Sequence, residues 1–128
     1  MPFAVTADGQ DWKNWDDPVR GALRWCLLVD SIGPEPESLT TGVLQLGAGG
    51  WLGRHRHTAP EVYYVLEGSA IVAVDGKEMT VGPGSLVRFE ADVEHGIHAP
   101  EGPVRVLFLF PTTNFEDVVY RFTAEPAA

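Results

Sequence analysis

The chain has 128 residues, of which 45% are hydrophobic and 21% charged, and its formal net charge is −9. That length implies one domain with enough residues to bury a core, and the composition is that of a folded globular protein. The acidic balance argues against nucleic-acid binding, which needs a basic footprint, and no apolar run reaches the roughly 20 residues needed to cross a bilayer.

Residues 1–20 are polar and carry Trp12 and Trp15. They read as an N-terminal arm that packs on the domain or exchanges with a partner subunit, with 21–128 as the domain itself. The first ten residues lack a basic segment followed by an apolar one, so no signal peptide is expected. Cys26, the single cysteine, lies in an apolar run. It cannot form an internal disulfide, reads as a small buried hydrophobe, and fits a reducing cytoplasm.

Short β-rich segments then follow at residues 24–30, 41–46, 52–57, 61–67, 69–74, 77–81, 85–89, 94–99 and 104–110, punctuated by Gly, Pro, Asp or Asn. Residues 33–38, with Pro34 and Pro36, read as an irregular loop. Asp75-Gly76 between two apolar runs predicts a two-residue hairpin, because both residue types tolerate positive φ. Residues 114–122 read either as a last edge strand or as a short turn. No segment has the pattern of a long amphipathic helix. The fold class is therefore all-β, a sandwich or barrel in a single domain.

The most informative feature is a set of polar residues. Three of the four histidines, His55, His57 and His95, accompany Glu61 in or beside predicted strands. Side chains alternate faces along a strand, so a His-x-His pair points both imidazoles the same way. Glu61 returns from the following turn, and His95 comes from a distant strand. Three imidazoles and a carboxylate suit one divalent transition metal such as Fe, Mn, Ni, Co or Zn.

Glycines sharpen this. Residues 49–68 read G-x5-H-x-H-x3-E-x6-G, and His95 follows Gly84 by eleven residues. This resembles the two sequence motifs of the cupin superfamily. The resemblance implies a jelly-roll barrel, also called a double-stranded β-helix, whose interior holds the metal and a ligand cavity. Members with this ligand quartet include dioxygenases, decarboxylases, isomerases, lyases and cyclases.

Other residues stand near the set. Tyr63 shares the face of Glu61, two residues on, and is either a base beside the metal or a packing residue. Tyr64 has the opposite parity and reads as outward. Trp25, Trp51, Phe89, Phe108, Phe110, Tyr63 and Tyr120 lie in or beside predicted strands. Most read as core, and a few could hold an organic cation by attraction to the ring face. Arg88 could anchor a substrate carboxylate or face solvent beside Glu90. Arg54 and Arg56 read as outward, and His98 as a non-ligand near the cavity mouth.

The likeness extends further, to the short single-domain cupin lyases that cleave dimethylsulfoniopropionate to dimethyl sulfide and acrylate. The matching pieces are VRGALRWCLLVD from Val19, GAGGWLGRHRH from Gly47, APEVYYV from Ala59 and FPTTNFEDVVY from Phe110. The resemblance implies Tyr63 as the base and Tyr120 as a residue lining the site. Trp51, Phe108 and Arg88 are the further substrate-contact candidates. The alternatives are another metal-dependent reaction on a small carbonyl or phenolic substrate (dioxygenase, isomerase or polyketide cyclase) and a non-catalytic small-molecule-binding domain. A homodimer is expected, because small barrels expose sheet edges that pairing protects.

Overall fold

The computed structural model describes residues 4–32 and 38–124. Eleven strands form one antiparallel sheet: β1 (Lys13–Asp17), β2 (Gly21–Ile32), β3 (Leu39–Leu46), β4 (Trp51–Arg56), β5 (Glu61–Glu67), β6 (Ala70–Val74), β7 (Lys77–Val81), β8 (Leu86–Phe89), β9 (His95–His98), β10 (Val104–Phe110) and β11 (Arg121–Phe122). The spatial order is β7-β6-β9-β4-β2-β3-β10-β5-β8, with β1 added on β2 and β11 on β4. The sheet curls into a jelly roll, and residues from both halves share one core. Leu23, Leu52, Val72 and Ile97 come from one half, and Leu44, Val65, Val87 and Val106 from the other.

The nine segments expected as strands are all strands. β10 shows why: from Val104 its residues alternate buried and half-buried, so one face packs the core. The Asp75-Gly76 turn has φ of 50° and 79°, and joins β6 to β7 through the pair Val74 and Lys77. Both residues lie in the left-handed region that a two-residue hairpin turn demands. At Gly42 a side chain would collide with the Cys26 carbonyl and the Phe108 ring, so glycine alone lets Phe108 lie against β3. Cys26 itself is fully buried.

One strand was not expected. β1 is KNWDD, four polar residues around Trp15, and lacks apolar alternation. Its strand state comes from ladder pairing with β2, from Lys13 opposite Trp25 to Asp17 opposite Gly21. Nearby, Trp12 lies under the guanidinium groups of Arg24 and Arg105. Residues 114–122 contain both forms that had been considered, a 3-10 turn at Phe115–Asp117 and the two-residue β11. Of the loop expected at 33–38, only Ser38 is among the described residues. No described helix is long and apolar enough to cross a membrane.

Candidate metal centre

Strand ends bring the polar set together. His55 lies on β4, His57 one residue past its end, Glu61 opens β5 and His95 opens β9. Their ligand atoms all lie within 4.8 Å of one another, and all four residues are buried. His55 and His95 are cross-strand partners.

Each imidazole is fixed twice. Nδ1 of His55 meets the Gly53 carbonyl at 2.7 Å, that of His57 the Ala59 carbonyl at 2.7 Å, and that of His95 the Val93 carbonyl at 3.0 Å. A carbonyl only accepts, so all three Nδ1 atoms carry the proton and donate it. Each ring also has an aromatic neighbour. Tyr120 stacks on His55 at 4.8 Å, Phe110 meets His57 edge-on at 5.3 Å, and Phe89 stacks on His95 at 4.0 Å. Such outer contacts set the tautomer and orientation of metal-binding histidines.

The consequence is a convergence of lone pairs. Nε2 of His57 and Nε2 of His95 stand 3.1 and 3.0 Å from the same Glu61 oxygen, Oε1. Nε2 of His55 is buried with no hydrogen-bond partner. Acceptors crowded this way need a shared cation. Metal–nitrogen bonds of about 2.1 Å at right angles place adjacent ligand atoms about 3 Å apart, close to the two separations seen. The donor set therefore fits one metal ion.

The electrostatics agree. Burial, reinforced by His95, pushes the His55 pKa down from 6.5 to about 3, so the ring stays neutral and able to ligate. Burial alone would raise the Glu61 pKa, but the adjoining His57 and His95 side chains outweigh it and hold the carboxyl below its ordinary range. Tyr63 and Tyr120 are pushed well above 10 by burial, then by the Glu61 charge, with a further contribution from Tyr120 at Tyr63.

Beside the cluster is a cavity of about 20 Å³, bordered by Glu61, Tyr63, Phe108 and Tyr120. Tyr63 is buried, with its ring 4.7 Å from Phe89 and 6.2 Å from His95. Two candidates lie elsewhere. The register of β4 against β9 shifts between Leu52 and His55. This bulge reverses the alternation, so Leu52 points into the core and Trp51 does not. Trp51 instead borders an outer groove of about 310 Å³ with His98, Gly96 and Glu78. Arg88 follows regular alternation between inward Val87 and Phe89, so its side chain is 71% exposed and lies 4.0 Å from Glu90. Tyr64, Arg54 and Arg56 are exposed as expected, whereas His98 belongs to the outer groove rather than the cavity mouth.

Two aromatic residues at the cavity, Trp15 and Phe115, had not been singled out for the site, and Trp25 had been named only within the wider aromatic set. The available signal was tryptophan and phenylalanine standing alone in polar stretches, KNWDD and NFED.

Comparison with known proteins places this geometry. The cupin domain model matches residues 42–110, and the chain belongs to the cupin family. It is 37% identical over 124 residues to the dimethylsulfoniopropionate lyase DddW of Ruegeria pomeroyi, covering 96% of this chain and 81% of that protein. Among solved structures, the polyketide cyclase RemF of Streptomyces resistomycificus superposes with a TM-score of 0.80 at 19% identity, over 98% of this chain and 88% of that one. A chain from the structures of the dimethylsulfoniopropionate lyases RdDddP and RnDddQII gives 0.70 at 23%, over 90% and 63%. These structural likenesses speak for the jelly roll alone.

Proposed function

We propose that the protein is a metal-dependent lyase that splits dimethylsulfoniopropionate into dimethyl sulfide and acrylate. The observation that carries this reading is the likeness to a lyase of that substrate along nearly the whole chain. The buried quartet His55, His57, Glu61 and His95 supports it by offering one divalent transition metal a site.

The reaction is a β-elimination. The substrate carboxylate lies at the quartet. Tyr63, whose pKa stands well above 10 without a metal and would be brought down by a cation in the quartet, takes as phenolate a proton from the carbon next to that carboxylate. The electron pair left behind forms the carbon–carbon double bond. The carbon–sulfur bond breaks, its electrons go to sulfur, and the sulfonium leaves as neutral dimethyl sulfide. When bound, the ion offsets negative charge on the substrate carboxylate and on the Tyr63 oxygen. Tyr120 borders the same cavity and walls it from the His55 side.

The test is headspace detection of dimethyl sulfide from protein loaded separately with Fe, Mn, Ni, Co and Zn. Metal-dependent release is expected, falling by about 10²-fold or more in Tyr63→Phe, the scale of a lost general base. Metal content should be unchanged in that variant. No release with any of the five metals would remove this substrate. Release undiminished in Tyr63→Phe would remove the base.

A further inference from the structure

His57 is the ligand with the least support from the ladder. It lies one residue past the end of β4, and the pairing of β4 with β9 ends at His55 opposite His95. A bond from a loop ties its main chain instead: the Asp92 N–H donates to the His57 carbonyl at 2.9 Å. Asp92 stands in a turn closed by the Val93 N–H on the Glu90 carbonyl at 3.2 Å. Its φ is 62°, and Asp75 and Asp92 are the two described residues other than glycine with positive φ. Asp75 belongs to a two-residue hairpin turn, which demands that conformation. Asp92 is the third residue of its turn, the place where a positive φ ordinarily calls for glycine or asparagine. The next residue, Val93, offers the carbonyl that Nδ1 of His95 meets at 3.0 Å. One short stretch of main chain thus serves two ligands.

The surroundings of Asp92 explain why aspartate stands where glycine would suit the turn. Arg56 on β4 and Arg121 on β11 are cross-strand partners, and like charges directly opposite repel. Both converge on Asp92. Arg56 donates to its carbonyl at 3.0 Å, and Arg121 pairs with its carboxylate. The carboxylate offsets that repulsion and helps to fasten a strap, residues 114–123, that carries Phe115, Tyr120 and β11. Non-glycine residues in the left-handed region persist where their surroundings over-determine them, and they gather at functional sites. Here the N–H, the carbonyl and the carboxylate of one residue each have a partner, and the partner of the N–H is a residue of the quartet.

We propose that Asp92 is a positioning residue for the metal centre, and that its left-handed backbone, rather than its charge, holds His57 and His95 at the spacing one ion needs. The proposal rests on the quartet being a metal site. It goes beyond the lyase reading, since it holds for any reaction at that ion. A main chain forced out of the left-handed region turns the Asp92 N–H away from the His57 carbonyl and carries the Val93 carbonyl with it. The two rings disturbed are the pair whose Nε2 atoms share the Glu61 oxygen. The carboxylate serves the strap, and its loss leaves those rings in place.

Substitutions at Asp92 separate backbone from charge. Asp92→Gly and Asp92→Asn remove the charge and keep the conformation, whereas Asp92→Val keeps neither, because a β-branched residue scarcely enters the left-handed region. The cobalt-loaded protein has a visible absorption spectrum set by ligand number and geometry, and competition with a chelator gives the cobalt affinity. Asp92→Gly and Asp92→Asn should keep the wild-type spectrum and an affinity within about threefold, while Asp92→Val should alter the spectrum and weaken cobalt about 10–100-fold, the scale of a lost outer partner. Asp92→Ala should fall between them, and it decides the matter if Asp92→Val does not fold. An unchanged spectrum and affinity in Asp92→Val or Asp92→Ala would overturn the role, even with a lowered urea midpoint, and leave Asp92 a stabilising residue only. A loss in Asp92→Gly equal to that in Asp92→Val would overturn it as well, by assigning the effect to the carboxylate. Cobalt uptake that depends on the Asp92 backbone, without sulfide release from any of the five metals, keeps this role and sinks the lyase. No cobalt uptake by the wild type sinks the metal centre and this role with it.

Discussion

The floor and the mouth of the cavity are built differently. At the floor, each ligand histidine is held by a backbone carbonyl and an aromatic neighbour, and three of the four ligands lie in strands of the main ladder. At the mouth, half the wall rides on a strap whose ladder is two residues long, secured by largely exposed side chains. Ligand geometry is thus set largely by folding itself, because three of the four residues stand on strands and His57 is tied to the Ala59 carbonyl just past one. The mouth has fewer ladder bonds than the floor, and besides those exposed pairs its strap is held mainly by the packing of Val118, Phe115, Tyr120 and Phe122 against the core. Rigid chemistry beneath an adjustable rim is what a site needs if its substrate is larger than its resting cavity.

The largest expected effect breaks the floor. Loss of an outer partner of a metal ligand costs about 10–100-fold in affinity, so His95→Ala, which removes a ligand, should cost about 10³-fold. Metal content after dialysis, measured by mass spectrometry, checks this. His98→Ala, in the outer groove, should retain full occupancy. If the two variants lose metal alike, the assignment of inner and outer faces fails.

Next comes acid. Between pH 6.5 and about 3 the unfolded chain carries a proton on His55 that the folded metal-free chain refuses. Stability conferred by keeping His55 neutral is therefore complete above pH 6.5 and is lost as pH falls through that window. The depressed Glu61 pKa adds a loss in the same direction below its ordinary 4.5. At about 1.4 kcal/mol per pH unit the His55 ceiling is about 5 kcal/mol, and local hydration should leave about half. Urea midpoints of chelator-treated protein at pH 7 and pH 4.5 would show the drop, and His55→Gln should flatten it. A flat wild-type profile would mean that the floor opens to water more readily than its burial implies.

The smallest effect belongs to the mouth. Arg121 and Asp92 are paired but more than half exposed, so Arg121→Ala should cost less than about 1 kcal/mol of stability. It should leave metal affinity unchanged, read as metal content after dialysis. A change in metal affinity would show that floor and mouth are coupled and erase the contrast between them.

How much of this could be read from the chain follows the same divide. The positions of His55, His57 and Glu61 are legible because a period of two is hard to disguise over so short a span, and the spacing to His95 carries the fourth ligand. Trp51 shares a period with His55 and His57 but not a face, because the bulge between Leu52 and His55 resets the alternation. A bulge depends on how a partner strand pairs, which no local window contains. Trp15 and Phe115 were hidden for a related reason. KNWDD and NFED carry no strand or core pattern of their own, and their place comes from β2 and from Asp30, the latter 85 residues before Phe115. Arg88 was open in direction, toward a substrate or toward solvent, and the alternation of β8, with Val87 and Phe89 inward, places it outside.

Tyr120 lies against His55 of the candidate metal quartet on one side and in a ring of aromatics on the other. Over evolutionary time, then, a change at this position would alter which ion is retained and which molecule is admitted in the same step. Lineages that shift toward a new substrate through Tyr120 should need compensating changes around His55, whereas shifts through Trp25 or Phe115 should not.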